Sequence, residues 1–297
     1  MSERALYGAI EAGGTKFVCA AGYGPREIPQ HFRTVIATTT PEETLAAVVE
    51  FFEQVRRVAG PFAGIGVGAF GPLDVDRRSV SWGCILKTPK PGWSGVSLRA
   101  PLERFGCPVA VDTDVNAAAL AEARLGAGTD VDSLVYVTVG TGIGGGVVLG
   151  GRTVRGLLHP EMGHIRVRRH VQDQNFTGLC PFHGDCLEGL ASGPAVLARW
   201  GGRFESFADS HPALEIIGDY LGQLAATVAL VLSPRRIVFG GGVMNGRLLP
   251  HIRATAAREL AGYLPVAERG GGFERLIVSP GLSDQAGIIG AMLLAGA

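Results

Sequence analysis

The sequence predicts an α/β protein built from two related halves. Three observations carry this. Short apolar runs of strand length alternate with segments in which apolar residues recur at helical spacing. A unit of strand, Gly-Thr turn and strand occurs at 7–23 and again at 134–149. At 297 residues and 46% hydrophobic content, the chain also exceeds what one core usually organises.

The elements follow in order. Residues 7–12 and 17–23 read as two apolar strands joined by Gly13-Gly14-Thr15-Lys16, and 32–37 as a third. Pro41 opens a helix with Leu45, Val48, Val49, Phe52 and Val55 on one face. Residues 64–70 form a buried strand ending at Gly71-Pro72. A Pro- and Gly-rich loop through Trp93, a helix near 98–105 and a short strand at 109–111 lead to an Ala-rich helix from Asp114. The pattern then restarts: strand 134–139, the turn Gly140-Thr141-Gly142-Ile143-Gly144, and strand 145–149. A polar excursion over 159–193 precedes an apolar helix at 214–232, strand 236–239 with Gly240-Gly241-Gly242, another helix, strand 276–278 and a closing helix after Ser283.

Composition narrows the partners. Lys plus Arg (27) equals Asp plus Glu (27) with no like-charge run, so no nucleic-acid or anionic-membrane partner is expected. The first strand starts within a few residues of Met1, and no apolar run is read as approaching the roughly 20 residues of a membrane span, so a cytoplasmic protein is expected. Five cysteines cannot all pair, and a disulfide framework is not expected. The 45 glycines, roughly twice average usage, are read as gathering at strand ends, where tight turns and ligand approach exclude a Cβ.

Several residues carry chemistry. Glycine turns between strands present backbone N–H groups that cradle phosphate oxygens, with Thr15 and Thr141 adding hydroxyls and Lys16 a charge. Either turn alone is equally a plain hairpin; both at equivalent places favour a nucleotide. Asp114, flanked by Asp112 and Asn116, is an N-cap or a base facing a substrate hydroxyl. Cys180, His183 and Cys186, with one upstream imidazole from His159, His164 or His170, supply four ligands for a structural Zn²⁺. Cys19, Cys84 and Cys107 read as core residues.

Taken together, Glu11-Ala-Gly-Gly-Thr-Lys16, Asp114-Val-Asn116, Gly140-Thr-Gly-Ile-Gly144, Pro160-Glu-Met-Gly-His164, the Cys/His cluster running into Leu187-Glu188-Gly189, and Gly240-Gly-Gly-Val243 resemble the ROK (repressor, open reading frame, kinase) family over essentially the whole chain. The resemblance implies an actin-like, ribonuclease-H-like fold with two similar domains around a cleft: 1–117 completed by a C-terminal helix at about 284–297, and 118–283 carrying the zinc loop 159–193. It implies ATP binding by Gly13, Gly14, Thr15, Lys16, Gly140, Thr141, Gly142, Gly144, Gly240, Gly241, Gly242 and Val243. Asp114 matches the catalytic base, Glu161, His164 and Glu188 the sugar ligands, and His164 also the upstream zinc ligand. Thr113 and Asn116 belong to the expected substrate-binding set, and Glu11 is expected to hold Mg²⁺ through water. A homodimer is also implied.

Departures from the glucokinase pattern point to a substrate. Glu11 stands where Asp is common, Thr113 where Asn is common, and His183 replaces a cysteine in a respaced cluster. With 88–93 (Thr-Pro-Lys-Pro-Gly-Trp), these resemble the bacterial fructokinase branch, which implies ATP-dependent phosphorylation of fructose at O6. The alternatives are mannose, glucose or an amino sugar. A ROK-type repressor would need a helix-turn-helix before the first strand, for which the sequence leaves no room.

Overall fold

The computed structural model describes residues 4–265 and 271–296. β1 (Leu6–Ala12) and β2 (Lys16–Gly22) pair antiparallel, from Tyr7 opposite Gly22 to Ala12 opposite Phe17. β3 (Arg33–Ala37) continues the antiparallel ladder on β2. The chain crosses through α1 (Pro41–Ala59) to β4 (Phe62–Ala69), parallel to β1, and later reaches β5 (Val109–Thr113), parallel to β4. The sheet order is β3-β2-β1-β4-β5. α2 (Asp114–Leu125) follows β5 without a loop.

The second sheet repeats this plan. β6 (Ser133–Val139) and β7 (Ile143–Leu149) are antiparallel, and β8 (Arg152–Thr153) lies beyond β7. After α3 (Leu187–Ala191), α4 (Gly193–Trp200) and α5 (Pro212–Leu232), β9 (Arg236–Gly240) joins parallel to β6. α6 (Leu248–Leu260) and α7 (Gly272–Leu276) precede β10 (Ile277–Val278), parallel to β9, and α8 (Ala286–Gly296) closes the chain. The order β8-β7-β6-β9-β10 matches β3-β2-β1-β4-β5 strand for strand.

The chain forms two compact units. One takes residues up to 121, a returning strap at 153–159 and residues from 284 on; the other takes 122–152 and 160–283. The expected boundary after 117 thus differs from this division by four residues, and the strap has no counterpart in the expectation.

Each helix of the first unit has a physical origin. Thr40 caps α1 by accepting the Glu43 N–H, and Pro41 occupies the first turn where its missing donor costs nothing. α1 buries Val48, Phe52 and Val55 against Ile65, Val67 and Phe17 of the sheet. On the other sheet face Ile288, Ala291 and Met292 of α8 meet Ala9, Val18 and Ala20. That contact is close because β4 carries Gly64, Gly66 and Gly68 at period two. A Cβ on Gly66 would collide with the Ala291 carbonyl and one on Gly64 with that of Ala295; on Gly68 it would lie 2.8 Å from the Ala117 Cβ. Many glycines therefore serve close helix–sheet approach inside strands, where the sequence reading had gathered them at strand ends.

Two further corrections concern single elements. Residues 100–105 form a 3₁₀ helix rather than an α-helix. α5, 21 residues long with mean hydropathy 1.4, does reach the length and apolarity of a membrane span, contrary to the expectation that no segment would. Residues such as Leu214, Ile217, Leu221 and Leu224 are buried in its unit, so α5 is built as a core helix.

Candidate active site

The junction of β5 and α2 is buried except at one place: of residues 111–122, Asp114 alone is partly exposed. The N-cap is Thr113, whose Oγ accepts the Asn116 N–H at 3.1 Å, leaving Asp114 as the first helical residue with Oδ1 accepting the Val115 N–H at 2.8 Å. Asp112, fully buried, accepts through Oδ1 from the Thr113 N–H and from Asn116 Nδ2, both at 2.8 Å. Thr113 and Asn116, expected among substrate-binding residues, are thus buried side chains built into the first turn of α2.

The first glycine turn is exposed from Gly14 to Lys16. It is closed by the Gly13 N–H donating to the Lys16 carbonyl at 3.0 Å. Thr38 braces it, its N–H reaching the Thr15 carbonyl and its Oγ the Gly13 carbonyl. Glu11, at the end of β1, fills the space a Cβ on Gly287 would occupy. Burial and the neighbouring Asp284 raise its carboxyl above the ordinary range, against the opposing pull of Lys16 and Arg33.

The second turn is tied to the excursion. Glu188, on α3, accepts the Ile143 N–H through Oε2 at 2.9 Å, and a Cβ on Gly142 would fall 2.6 Å from that oxygen. Gly142 is therefore small for the sake of the carboxylate. The single turn Met162–His164 lies against β7, since Gly163 admits the Ile143 carbonyl and Gly145 admits Met162. The Leu187 N–H donates to the Ile165 carbonyl at 3.0 Å. Glu188, through its carboxylate, and the turn that carries Glu161 and His164, through Gly163, thus both meet Ile143 of the glycine turn. Thr141 is exposed, and the Gly140 carbonyl accepts the Gly193 N–H at 2.7 Å.

Gly240–Val243 flank the same turn. Gly241 has φ +96°, and a Cβ there would crowd Val139, so glycine is required. The Val243 N–H donates to the Val139 carbonyl at 2.9 Å, while Gly241 and Gly242 are exposed.

His164, Cys180, His183 and Cys186 converge, with ligand atoms all within 4.8 Å of one another. Sγ of Cys180 lies 3.7 Å from His164 Nδ1 and 3.6 Å from His183 Nδ1, and Sγ of Cys186 lies 3.5 Å from His164 Nδ1. A tetrahedral Zn²⁺ with ordinary bond lengths gives an S···N edge of about 3.6 Å, so the donor set is compatible with that ion. The reciprocal bonds between Cys180 and Gly184, with Gly184 at φ +65°, form the knuckle. The other two upstream imidazoles lie elsewhere: His159 accepts from the Leu73 N–H, and His170 lies 3.7 Å from Glu215.

A family model for the ROK family matches residues 7–297. The chain belongs to the ROK family. A fructokinase from Zymomonas mobilis is 48% identical over 99% of this chain and 97% of its own length. Among solved structures, the ROK hexokinase from Thermus thermophilus has a TM-score of 0.77 at 30% identity, covering 98% of each chain. A ROK glucokinase from Streptomyces griseus, in complex with glucose and AMPPNP, has a TM-score of 0.73 at 28% identity, covering 98% of this chain and 99% of that one. The two matched sheets are those of the actin-like fold that these ROK structures share.

The sequence reading missed a second brace on the ROK excursion. Asp173 accepts the Tyr220 hydroxyl at 2.6 Å and faces Arg199 Nε at 3.3 Å, while Arg199 donates to the Leu190 carbonyl at 2.8 Å. The guanidinium lies over Phe176 and Trp200, 4.1 and 4.6 Å from their ring centres. Burial of Arg199 beside two aromatics was hidden in sequence, where it is one of many arginines.

Proposed function

We propose that this protein phosphorylates D-fructose at O6 with ATP, giving fructose 6-phosphate and ADP. The observation carrying this reading is the meeting at Ile143 of the Glu188 carboxylate and of the turn that carries Glu161 and His164: residues suited to sugar hydroxyls belong to segments packed on a glycine turn suited to phosphate. Fructose, rather than another hexose, is supported by the 48% identity to the Zymomonas mobilis fructokinase. Nucleotide use is supported by the AMPPNP bound to the Streptomyces griseus glucokinase.

In this reading the sugar binds through Glu161, His164 and Glu188, and Asp114 orients and deprotonates the O6 hydroxyl. An ordinary carboxylate suffices, because phosphoryl transfer depends mainly on alignment and charge stabilisation. Thr113 and Asn116 hold the turn that carries Asp114. Gly13, Gly14, Thr15, Lys16, Gly140, Thr141, Gly142 and Gly144 offer donors to the phosphates, and Gly240, Gly241, Gly242 and Val243 line the adenosine side. Glu11, whose ionised form is disfavoured by burial and by Asp284, fits a residue that a hydrated Mg²⁺ would relieve. That ion supplies charge neutralisation on the phosphates. His164, Cys180, His183 and Cys186 would hold a structural Zn²⁺, which would fix the loop leading into α3 and Glu188.

Five cysteines without a disulfide suit a reducing cytoplasm, and a homodimer is the assembly proposed. Its mass is measurable by light scattering. ADP release across fructose, mannose, glucose and amino sugars tests the substrate. Fructose with the highest kcat/KM is expected, and a tenfold or greater preference for another hexose would replace fructose in this reading.

A further inference from the structure

The buried carboxylate beneath α2 is held from two sides. Oδ1 of Asp112 organises Thr113 and Asn116, on either side of Asp114. Oδ2 accepts from Thr153 Oγ at 2.9 Å and from an Arg155 Nη at 2.7 Å. Asp112 is 0% exposed, whereas the Arg155 side chain is 28% exposed. A carboxylate at that depth needs hydrogen-bond partners for its oxygens, and Arg155 is the one cation among these four donors.

Thr153 and Arg155 belong to the strap at 153–159, which returns to the first unit. Its far end is fixed where His159 accepts the Leu73 N–H at 3.1 Å. The strap is thus pinned to the first unit at Asp112 and at Leu73. The first turn of α2 does not need Arg155 for capping, since Thr113 does that. What Arg155 adds is a fixed rotamer for Asp112, and with it the anchor point of Asn116.

We propose that Arg155 is a positioning residue for phosphoryl transfer: through Asp112 it locks the first turn of α2 and so the direction in which Asp114 points. This rests on the reading of Asp114 as the base. Without the guanidinium, Asp112 Oδ2 turns toward other donors and releases Asn116 Nδ2. Asp114, sitting between the two anchored residues, then loses its alignment with the sugar hydroxyl. Displacement of about 1 Å in such a group costs roughly 100-fold in rate.

The test is a double-mutant cycle of Arg155→Met and Asp114→Asn, assayed as kcat and as KM for fructose and ATP. Arg155→Met is expected to lower kcat about 10- to 100-fold with KM for ATP within about twofold, and to cause no further loss in the Asp114→Asn background. Native kcat in Arg155→Met, or an undiminished loss in the double variant, overturns the proposal and leaves Asp114 as the base. Native kcat in Asp114→Asn alone removes the base reading itself. If Arg155→Met does not fold, Arg155→Lys takes its place in the same cycle. A loss of about threefold or more that vanishes with Asp114→Asn then supports the role, and native kcat overturns it.

Discussion

Glu188 and Ile143 are joined by a hydrogen bond of 2.9 Å that links the helix after the Cys/His loop to the second glycine turn. One carboxylate oxygen is committed to the backbone, which fixes the direction of the other. The proposed sugar ligand and the proposed phosphate turn therefore share a structural element.

Gly142→Ala tests that link. Its Cβ would fall 2.6 Å from Glu188 Oε2, so the carboxylate must move or the turn must open. We expect kcat/KM for fructose to fall about 10-fold or more, since small misplacements of binding groups are costly. Glu188→Gln keeps an acceptor for Ile143 and should retain more ATP affinity than Glu188→Ala. Steady-state kinetics with both substrates varied measure this, and a native Gly142→Ala enzyme would count against the shared element.

Asp114→Asn should lower kcat by about 10²- to 10⁴-fold, the usual contribution of a positioned base. ATP affinity, measured by equilibrium binding, should change little. Loss of ATP binding in parallel would mean that the substitution disturbs the fold instead.

Freshly purified protein should contain about one Zn²⁺ per chain by elemental analysis, since four protein ligands complete a structural site. Cys186→Ser is expected to lose the ion and to raise KM for fructose more than KM for ATP. The Asp173–Arg199–Tyr220 brace should keep the variant folded, a point that circular dichroism resolves.

Tyr220 gives a pH signature. Burial and its bond to Asp173 raise the phenol from 10.0 to about 12. The folded state thus holds its proton after the unfolded chain has lost it. The contribution is complete below pH 10 and is lost as pH rises from 10 through 12. Urea denaturation of the native protein and Tyr220→Phe across that window should show a steeper alkaline decline for the native protein. Parallel declines would contradict the assignment.

The residues whose partners lie close in sequence were the legible ones. Cys180, His183 and Cys186 declare their chemistry within seven residues, and the paired Gly-Thr turns are visible because the strands on either side alternate with them. Strand starts agree within about two residues because apolar period and Gly punctuation act locally. Asp112, by contrast, read only as a neighbour of Asp114; its partners Thr153 and Arg155 lie 41 and 43 positions away, and no local pattern announces them. The Glu188 bond to Ile143 spans 45 positions, and the purpose of Gly142 is visible only once that bond exists. His159 and His170 read as candidates beside His164 for the upstream metal ligand because imidazole chemistry is the same wherever it folds; the strap takes His159 to Leu73 instead. α3 and α4 were not separated from the polar excursion because they are short, at five and eight residues, and adjoin it directly.

The glycine ladder of β4 has a consequence for biosynthesis. Its bare face at Gly64 and Gly66 is filled by the backbone of α8, and Gly290 sits directly against the Ala117 carbonyl. The unit that holds residues up to 121 therefore lacks this cover until α8 has been made, while the unit drawn from 122–152 and 160–283 has all its own parts earlier. Nascent chains halted before residue 284 should expose an uncovered sheet face to chaperones and proteases, and fusions that tether α8 should be felt in the strand next to β1, more than 200 positions upstream.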